Sequence, residues 1–293
     1  MTAFGLIIVD KPVGPTSHQV VTIVRKGSGV RKVGHAGTLD PRASGVLVLC
    51  LGAATRLSEY LSISSKCYRA IVRFGTATRT FDTEGDVTLD TGRVPTLRQV
   101  REVLPSFSGT IEQTPPPFSA IKVKGKKAYE LARKGDEPQL DPREVTISKL
   151  DVVSFNSPDL TLDIECSAGT YIRSLANDLG TALGTGAHLA GLQRTKAGPF
   201  TLEDAIPLPK LEVGFLVDKW ERYVRPAADA LPDFPTVPVE EEQLQKIRNG
   251  IRIEAAPDSS GLAKALDTDG DLIAILEAVE DDNMWHPRKV FLR

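Results

Sequence analysis

The chain is poor in the residues on which most redox, metal and disulfide chemistry is built. It has three cysteines, four histidines and two methionines in 293 residues. Cys50, Cys67 and Cys166 are odd in number, scattered, and set in apolar strand-like runs. That pattern speaks against a disulfide framework and against a zinc site, and fits buried, reduced thiols in a cytoplasmic protein. His18, His35, His188 and His286 are far apart and lack metal-ligand spacing, so no metal is expected. Gly27 and Gly29 followed by Lys32 do not complete a dinucleotide fingerprint, and no phosphate-binding loop is present, so no cofactor is expected. No apolar stretch approaches the roughly 20 residues that cross a bilayer, and the first nine residues lack the basic lead of a signal peptide. Internal repeats and low-complexity tracts are missing too. One further scarcity is local: between Lys11 and Leu57 the single carboxylate is Asp40.

What is present is the balance of an ordinary globular protein, 41% hydrophobic and 25% charged, long enough for one large domain or two. A net charge of −2 argues against non-specific coating of nucleic acid. The charge is unevenly spread. From Phe234 onward 7 Lys/Arg face 12 Asp/Glu, whereas the preceding part carries 29 against 26. Within that part Lys122, Lys124, Lys126, Lys127, Arg133 and Lys134 crowd together with only Glu130 opposing. Such a patch suits contact with phosphates, although a lone basic run is more often a solvated loop.

The hydrophobic pattern predicts an α+β fold. Strands are expected at residues 5–9, 46–51, 66–74, 145–155 and 160–166, the last two paired through an Asn-Ser-Pro-Asp turn. Helices are expected from a cap at Thr16 or Ser17, at 54–61, at 97–104, and at 170–183 before Gly184. Strands come in pairs and runs rather than in strict alternation with helices, which favours a mixed sheet. Pro232, Pro235 and Pro238 mark a linker. Beyond it, strand-like pieces at 251–255, 272–277 and 289–292 suggest a small β-barrel.

The most informative segment is Gly34-His35-Ala36-Gly37-Thr38-Leu39-Asp40-Pro41, directly before the apolar run at 46–51. Two glycines permit backbone paths closed to other residues, and Pro41 biases Asp40 toward an extended conformation. A carboxylate fixed between a polar loop and a hydrophobic strand suits a nucleophile or a base. An Asp before Pro also commonly just forms a turn. On these eight residues the two readings stand level. The surrounding scarcity of other carboxylates sets aside metal-dependent phosphoryl transfer and two-carboxylate glycoside hydrolysis at this turn.

With Ala43 and Gly45, the octapeptide resembles the catalytic-aspartate motif of the bacterial tRNA pseudouridine synthase B (TruB) family. The resemblance continues in order through Asp10-Lys11-Pro12, Lys66-Cys67-Tyr68, Gly75 with Thr78, Thr80, Asp82 and Gly85, and Phe118-Ser119-Ala120 with Tyr129 and Arg133. Gly169-Thr170-Tyr171-Ile172-Arg173, Asp178-Leu179-Gly180, and His188 with Leu192 and Arg194 complete it. It covers roughly residues 5 to 205 and weakens in the tail.

The resemblance implies a pseudouridine synthase fold with a mixed central sheet over residues 1–230, and a small C-terminal PUA-like β-barrel over 234–293. It implies isomerisation of uridine 55 in the T-loop of tRNA to pseudouridine, with the base flipped into a pocket and no cofactor. Asp40 matches the family's catalytic aspartate, Arg173 the arginine that pairs with it through a fork of donors, and Tyr68 the tyrosine packed on the target base. Tyr171 and Leu192 match pocket residues, and His35 a histidine that contacts the tRNA loop. Residues 118–141 correspond to an insertion that closes over the RNA stem-loop, with Lys126 and Lys127 facing phosphates. A monomer without obligatory protein partner or membrane contact is expected. Two alternatives stay open: a guide-dependent relative, and a tRNA-folding protein in which Asp40 is dispensable.

Overall fold

A computed structural model of the chain describes residues 4–123, 125–136, 139–279 and 282–291, with Lys127 described by its backbone alone. Lys124 of the basic run and the end of the strand expected at 289–292 therefore lie outside the described residues.

Ten strands form one mixed sheet. Its main path runs Ile206–Pro207, Gly5–Lys11, Ala43–Leu51, Ala187–Ala197, Lys66–Phe74, Asp159–Cys166, Arg143–Asn156 and Gly109–Gln113. Along this path the pairs Gly5–Lys11 with Ile206–Pro207 and Ala43–Leu51 with Ala187–Ala197 are parallel, and the others antiparallel. The apolar run expected as a strand is the C-terminal part of Ala43–Leu51, and it is apolar at every position because both faces of the sheet are covered. Leu47, Leu49 and Leu51 pack with Val20, Val21 and Val24 of the Ser17–Ser28 helix and with Leu208 and Leu211 of the Leu208–Leu216 helix. Val46, Val48 and Cys50 face the other way. The Ser17–Ser28 helix starts at a capping box: the Thr16 hydroxyl accepts from Gln19 N and the Gln19 side chain accepts from Thr16 N.

The Ala187–Ala197 strand, central to the sheet, escapes the hydrophobic pattern. Gly191 and the stretch Gln193-Arg194-Thr195-Lys196 interrupt its apolar residues, and burial of Arg194 is a tertiary event that alternation does not signal. The helix expected at 170–183 is Ile172–Ala182, which leaves Tyr171 at its N-cap. One face of it buries Leu175, Ala176 and Leu179 against Val72, Leu160 and Leu162.

The C-terminal part is a curled five-stranded sheet, ordered Thr236–Pro238, Leu262–Leu266, Leu272–Val279, Met284–Val290 and Ile253–Glu254. Among the described residues its end strands do not pair, so it is a half-barrel rather than a closed barrel. The last of the linker prolines, Pro238, belongs to it: Thr236–Pro238 runs parallel to Leu262–Leu266. The Glu241–Arg248 helix, unforeseen in the sequence, covers it. Its core, with Ile247, Ala263, Ala265 and Trp285, is its own. Leu272, Ile275 and Phe291 join instead the cluster of Leu6, Ile8, Val48 and Cys50 from the large sheet.

Candidate active site

The sheet register assembles the site. In the Ala187–Ala197 strand, Arg194 lies opposite Tyr68 on one side and Gly45 on the other, and Leu192 opposite Ala70 and Ala43. A β-carbon on Gly45 would lie 2.2 Å from Arg194 O, and its φ is +104°, so only glycine lets these strands meet. The Asp40 turn springs from the same place.

Seven hydrogen bonds to the backbone hold that turn and the strand that follows it. The guanidinium of Arg194, 1% exposed, donates to Val46 O at 2.7 Å and to Gly37 O and Thr38 O at 3.2 Å. The buried Ser17 hydroxyl donates to Leu39 O at 2.9 Å and accepts from Leu39 N at 2.8 Å. Ala43 N donates to Asp40 O, and Gly14 N to Pro41 O. None of these contacts involves the Asp40 carboxylate, which stays 41% exposed at the wall of a cavity.

Arg173 Nε meets Asp40 Oδ2 at 3.0 Å. The forked pairing expected from the sequence is not what the structure holds. The remaining donors are spent elsewhere: Nη1 on Thr80 O at 3.3 Å and 3.6 Å from Asp82 Oδ2, Nη2 on Phe118 O at 3.0 Å. Arg173 is thus a buried cation shared by two carboxylates. Asp82 is itself fixed by the Thr80 hydroxyl and Glu84 N. Among the described residues, no cluster of His, Cys, Asp or Glu could hold a metal ion.

The cavity, about 560 Å³, is lined by Asp40, Tyr68, Asp82, Tyr171, Arg173 and Leu192, among others. Burial raises the pKa of both Tyr68 and Tyr171, so their phenols stay protonated at neutral pH. Tyr171 is positioned through its backbone, since the Gln113 side chain accepts from its N–H and donates to its carbonyl. The structure therefore gathers five of the sequence-derived residues. It does not gather His35, Lys126 or Lys127. His35 sits on the Val33–His35 strand away from the cavity lining, its Nδ1 buried and its pKa lowered first by burial and then by Arg194 and His18. Lys126 is exposed in a two-residue strand paired with Lys122–Val123, and the Lys127 side chain is outside the described part of the chain. From the same insertion, Tyr129 and Arg133 reach the cavity, the guanidinium stacked 5.6 Å from the ring centroid.

Lys11, Lys66, Asp82 and Arg194 stand in the quoted motifs, yet the sequence assigns them no role. Their common signal is a charge with no apparent partner inside an apolar strand or beside a turn. Lys11 is fully buried and donates to Pro12 O and Pro15 O; Lys66 donates to Ser62 O and Ser64 O. Burial pushes both ammonium groups down to about 8. Unfolded lysines keep their protons to about 10.4. The folded protein therefore binds fewer protons above about pH 8, and its stability rises with pH there. Buried thiols oppose this, because Cys50 and Cys166 are pushed up to about 12 and about 11 while the unfolded chain sheds these protons near 9. The expected result is a denaturation midpoint that climbs from pH 7.5 to 8.5 and then flattens. In Lys66→Met the climb should be smaller; an equal climb would remove Lys66 as its source.

Comparison with known proteins places this geometry. The sequence model described as TruB family pseudouridylate synthase, N-terminal domain, matches residues 25–172. That of the tRNA pseudouridylate synthase B C-terminal domain matches residues 173–231. The tRNA pseudouridine synthase B of Solibacter usitatus is 43% identical over 98% of this chain and 99% of its own. That of Caldanaerobacter subterraneus subsp. tengcongensis is 40% identical over 99% and 100%. Among solved structures, an H/ACA RNP bound to a substrate RNA containing 2′-deoxyuridine superposes with a TM-score of 0.76, at 26% identity over 99% of this chain and 86% of that one. A Cbf5-Nop10-Gar1 complex gives 0.75, at 28% identity over 99% and 85%.

Proposed function

We propose, from the premise that this chain belongs to the TruB family of pseudouridylate synthases, that its cavity receives uridine 55 flipped from the T-loop of tRNA. The protein is a tRNA pseudouridine synthase, an isomerase. In the reaction the N1–C1′ bond breaks, the uracil turns over, C5 bonds to C1′, the C5 hydrogen leaves to water, and N1 gains a proton. It is redox-neutral and needs no group donor.

The observation that carries the assignment of roles is the Asp40 carboxylate, ion-paired to a buried arginine yet open to a cavity walled by two tyrosines and a leucine. A carboxylate there splits one hard step into two by forming a covalent intermediate, or takes a proton from the sugar. Tyr68 and Leu192 offer apolar surfaces for the base. Extrusion of the base costs about a few kcal/mol, which contacts around the loop must return. His35 and the insertion 118–141 supply them in this reading, and residues 1–230 and 234–293 act as catalytic and PUA-like units. We take the protein to act alone, as a cytoplasmic monomer, since the RNA-closing insertion is part of its own chain.

The assay is release of tritium from a tRNA transcript carrying C5-tritiated uridine. Stoichiometric release is expected, and a transcript with cytidine at position 55 should release none. Release from that control transcript would displace the position. For the insertion, changing Lys122 and Lys126 together to Ala should weaken tRNA binding and lower the slope of log K against log salt by about 1.5 to 2. An unaltered slope would take these lysines off the phosphates.

A further inference from the structure

Three buried side-chain polar atoms among the described residues complete no hydrogen bond: His35 Nδ1, Tyr60 Oη and Ser119 Oγ. Of the three residues, Ser119 alone lines the cavity that holds Asp40. It is 3% exposed. Its backbone is not loosely placed. The carbonyl before it, Phe118 O, accepts from Arg173 Nη2 at 3.0 Å, and its own carbonyl accepts from Tyr129 N at 3.0 Å. Ser119 thus stands at the root of the 118–141 insertion, tied to the catalytic guanidinium on one side and to the insertion's helix Ala128–Ala132 on the other. Its hydroxyl neighbours the Tyr171 phenol, whose burial-raised pKa it tempers, but the oxygen completes no hydrogen bond.

A buried hydroxyl without a partner destabilises the protein that carries it, and alanine at such a place is neutral or stabilising. Buried groups of this kind call for a physical explanation, and a ligand that supplies the partner is one. A serine hydroxyl both donates and accepts, so it can serve a uracil carbonyl, the N3–H, or a ribose hydroxyl. We propose that Ser119 Oγ is a substrate contact, which finds its hydrogen-bond partner on the flipped nucleotide when the insertion settles onto RNA. This rests on the reading that the cavity takes a flipped uridine. In the RNA-free chain the oxygen is shielded from solvent. The contact therefore forms only as residues 118–120 shift, and it links closure of the insertion to seating of the base beside Arg173.

The test is Ser119→Ala, read in two ways. In the free protein the thermal midpoint should stay level or rise, because no internal hydrogen bond is lost. In an Asp40→Asn background, which binds without turnover, affinity for a T-arm stem-loop should fall about 5- to 50-fold, the cost of an unpaired polar group. The partner atom follows from the same measurement with 2′-deoxyuridine at the target. Losses that do not add assign the contact to the ribose hydroxyl, and losses that add assign it to the base edge. A lowered midpoint with unchanged affinity would make the hydroxyl structural and overturn the proposal. Should wild type release no tritium from C5-labelled tRNA, the reading of the cavity fails first, independently of Ser119.

Discussion

Asp40→Asn should release tritium from C5-labelled tRNA at least roughly 10³- to 10⁴-fold more slowly than wild type, the scale of losing a covalent nucleophile, while binding the same tRNA within about threefold. The separation of chemistry from binding follows from how the turn is built. Every anchor on it is backbone: Arg194 on the carbonyls of Gly37 and Thr38, Ser17 on Leu39, Gly14 on Pro41. An amide in place of the carboxylate disturbs none of them. It also leaves an oxygen able to accept from Arg173 Nε, which stands 3.0 Å from Asp40 Oδ2. The guanidinium keeps Asp82 as a second counter-charge, so the substitution does not strand a buried cation. Stability should change by no more than about 1 kcal/mol. What is lost is the negative charge and nucleophilicity at the cavity wall. Single-turnover tritium release and filter binding on one protein preparation check both halves. Equal release by both proteins would leave Asp40 as a turn former. Loss of binding along with release would make it a folding residue.

Arg173→Ala should fail differently, losing activity and stability together. Arg173 satisfies two carboxylates and the carbonyls of Thr80 and Phe118. Its removal leaves Asp82, 7% exposed, without a cation, and breaking one partner of a buried pair costs about 3 kcal/mol. It also frees Phe118 O at the root of the insertion. Arg173→Lys should rescue little, since a compact ammonium lacks the geometry to serve four acceptors set around a plane. The informative variant is Arg173→Ala combined with Asp82→Asn. It should regain roughly half of the lost stability, because the stranded charge is gone, yet none of the activity. Urea denaturation and single-turnover assays of the three variants decide. Native stability in Arg173→Ala would mean that solvent already screens Asp82. Recovered activity in the double variant would mean that Arg173 acts only by neutralising it.

Much of the core was legible because each inner strand carries its own signal. Ala43–Leu51 is apolar at nearly every position, as a strand covered on both faces must be, and Lys66–Phe74 has the bounds its pattern suggests. The Ser17–Ser28 helix announced itself by its cap. Ala187–Ala197 did not, because Gly191 and the stretch Gln193-Arg194-Thr195-Lys196 interrupt its apolar residues, and Arg194 is buried there to hold the backbone of the Asp40 turn. The C-terminal strand Thr236–Pro238 was hidden inside a proline-rich linker, where an edge strand tolerates residues that a central one does not.

The sequence by itself determined that one carboxylate stands alone in a rigid turn, and its ordered motifs named the family. Asp40, Tyr68, Tyr171, Arg173 and Leu192 were all nominated from it. The tertiary structure alone decided what each charge is for. Arg173 serves Asp82 and the insertion as well as Asp40, and Arg194 supports the turn from beneath while Lys11 and Lys66 are buried beside it. A buried charge looks the same in a sequence as an exposed one. Its partners come from segments more than a hundred residues apart, as Arg194 and Thr38 do, and the register of the sheet brings them together.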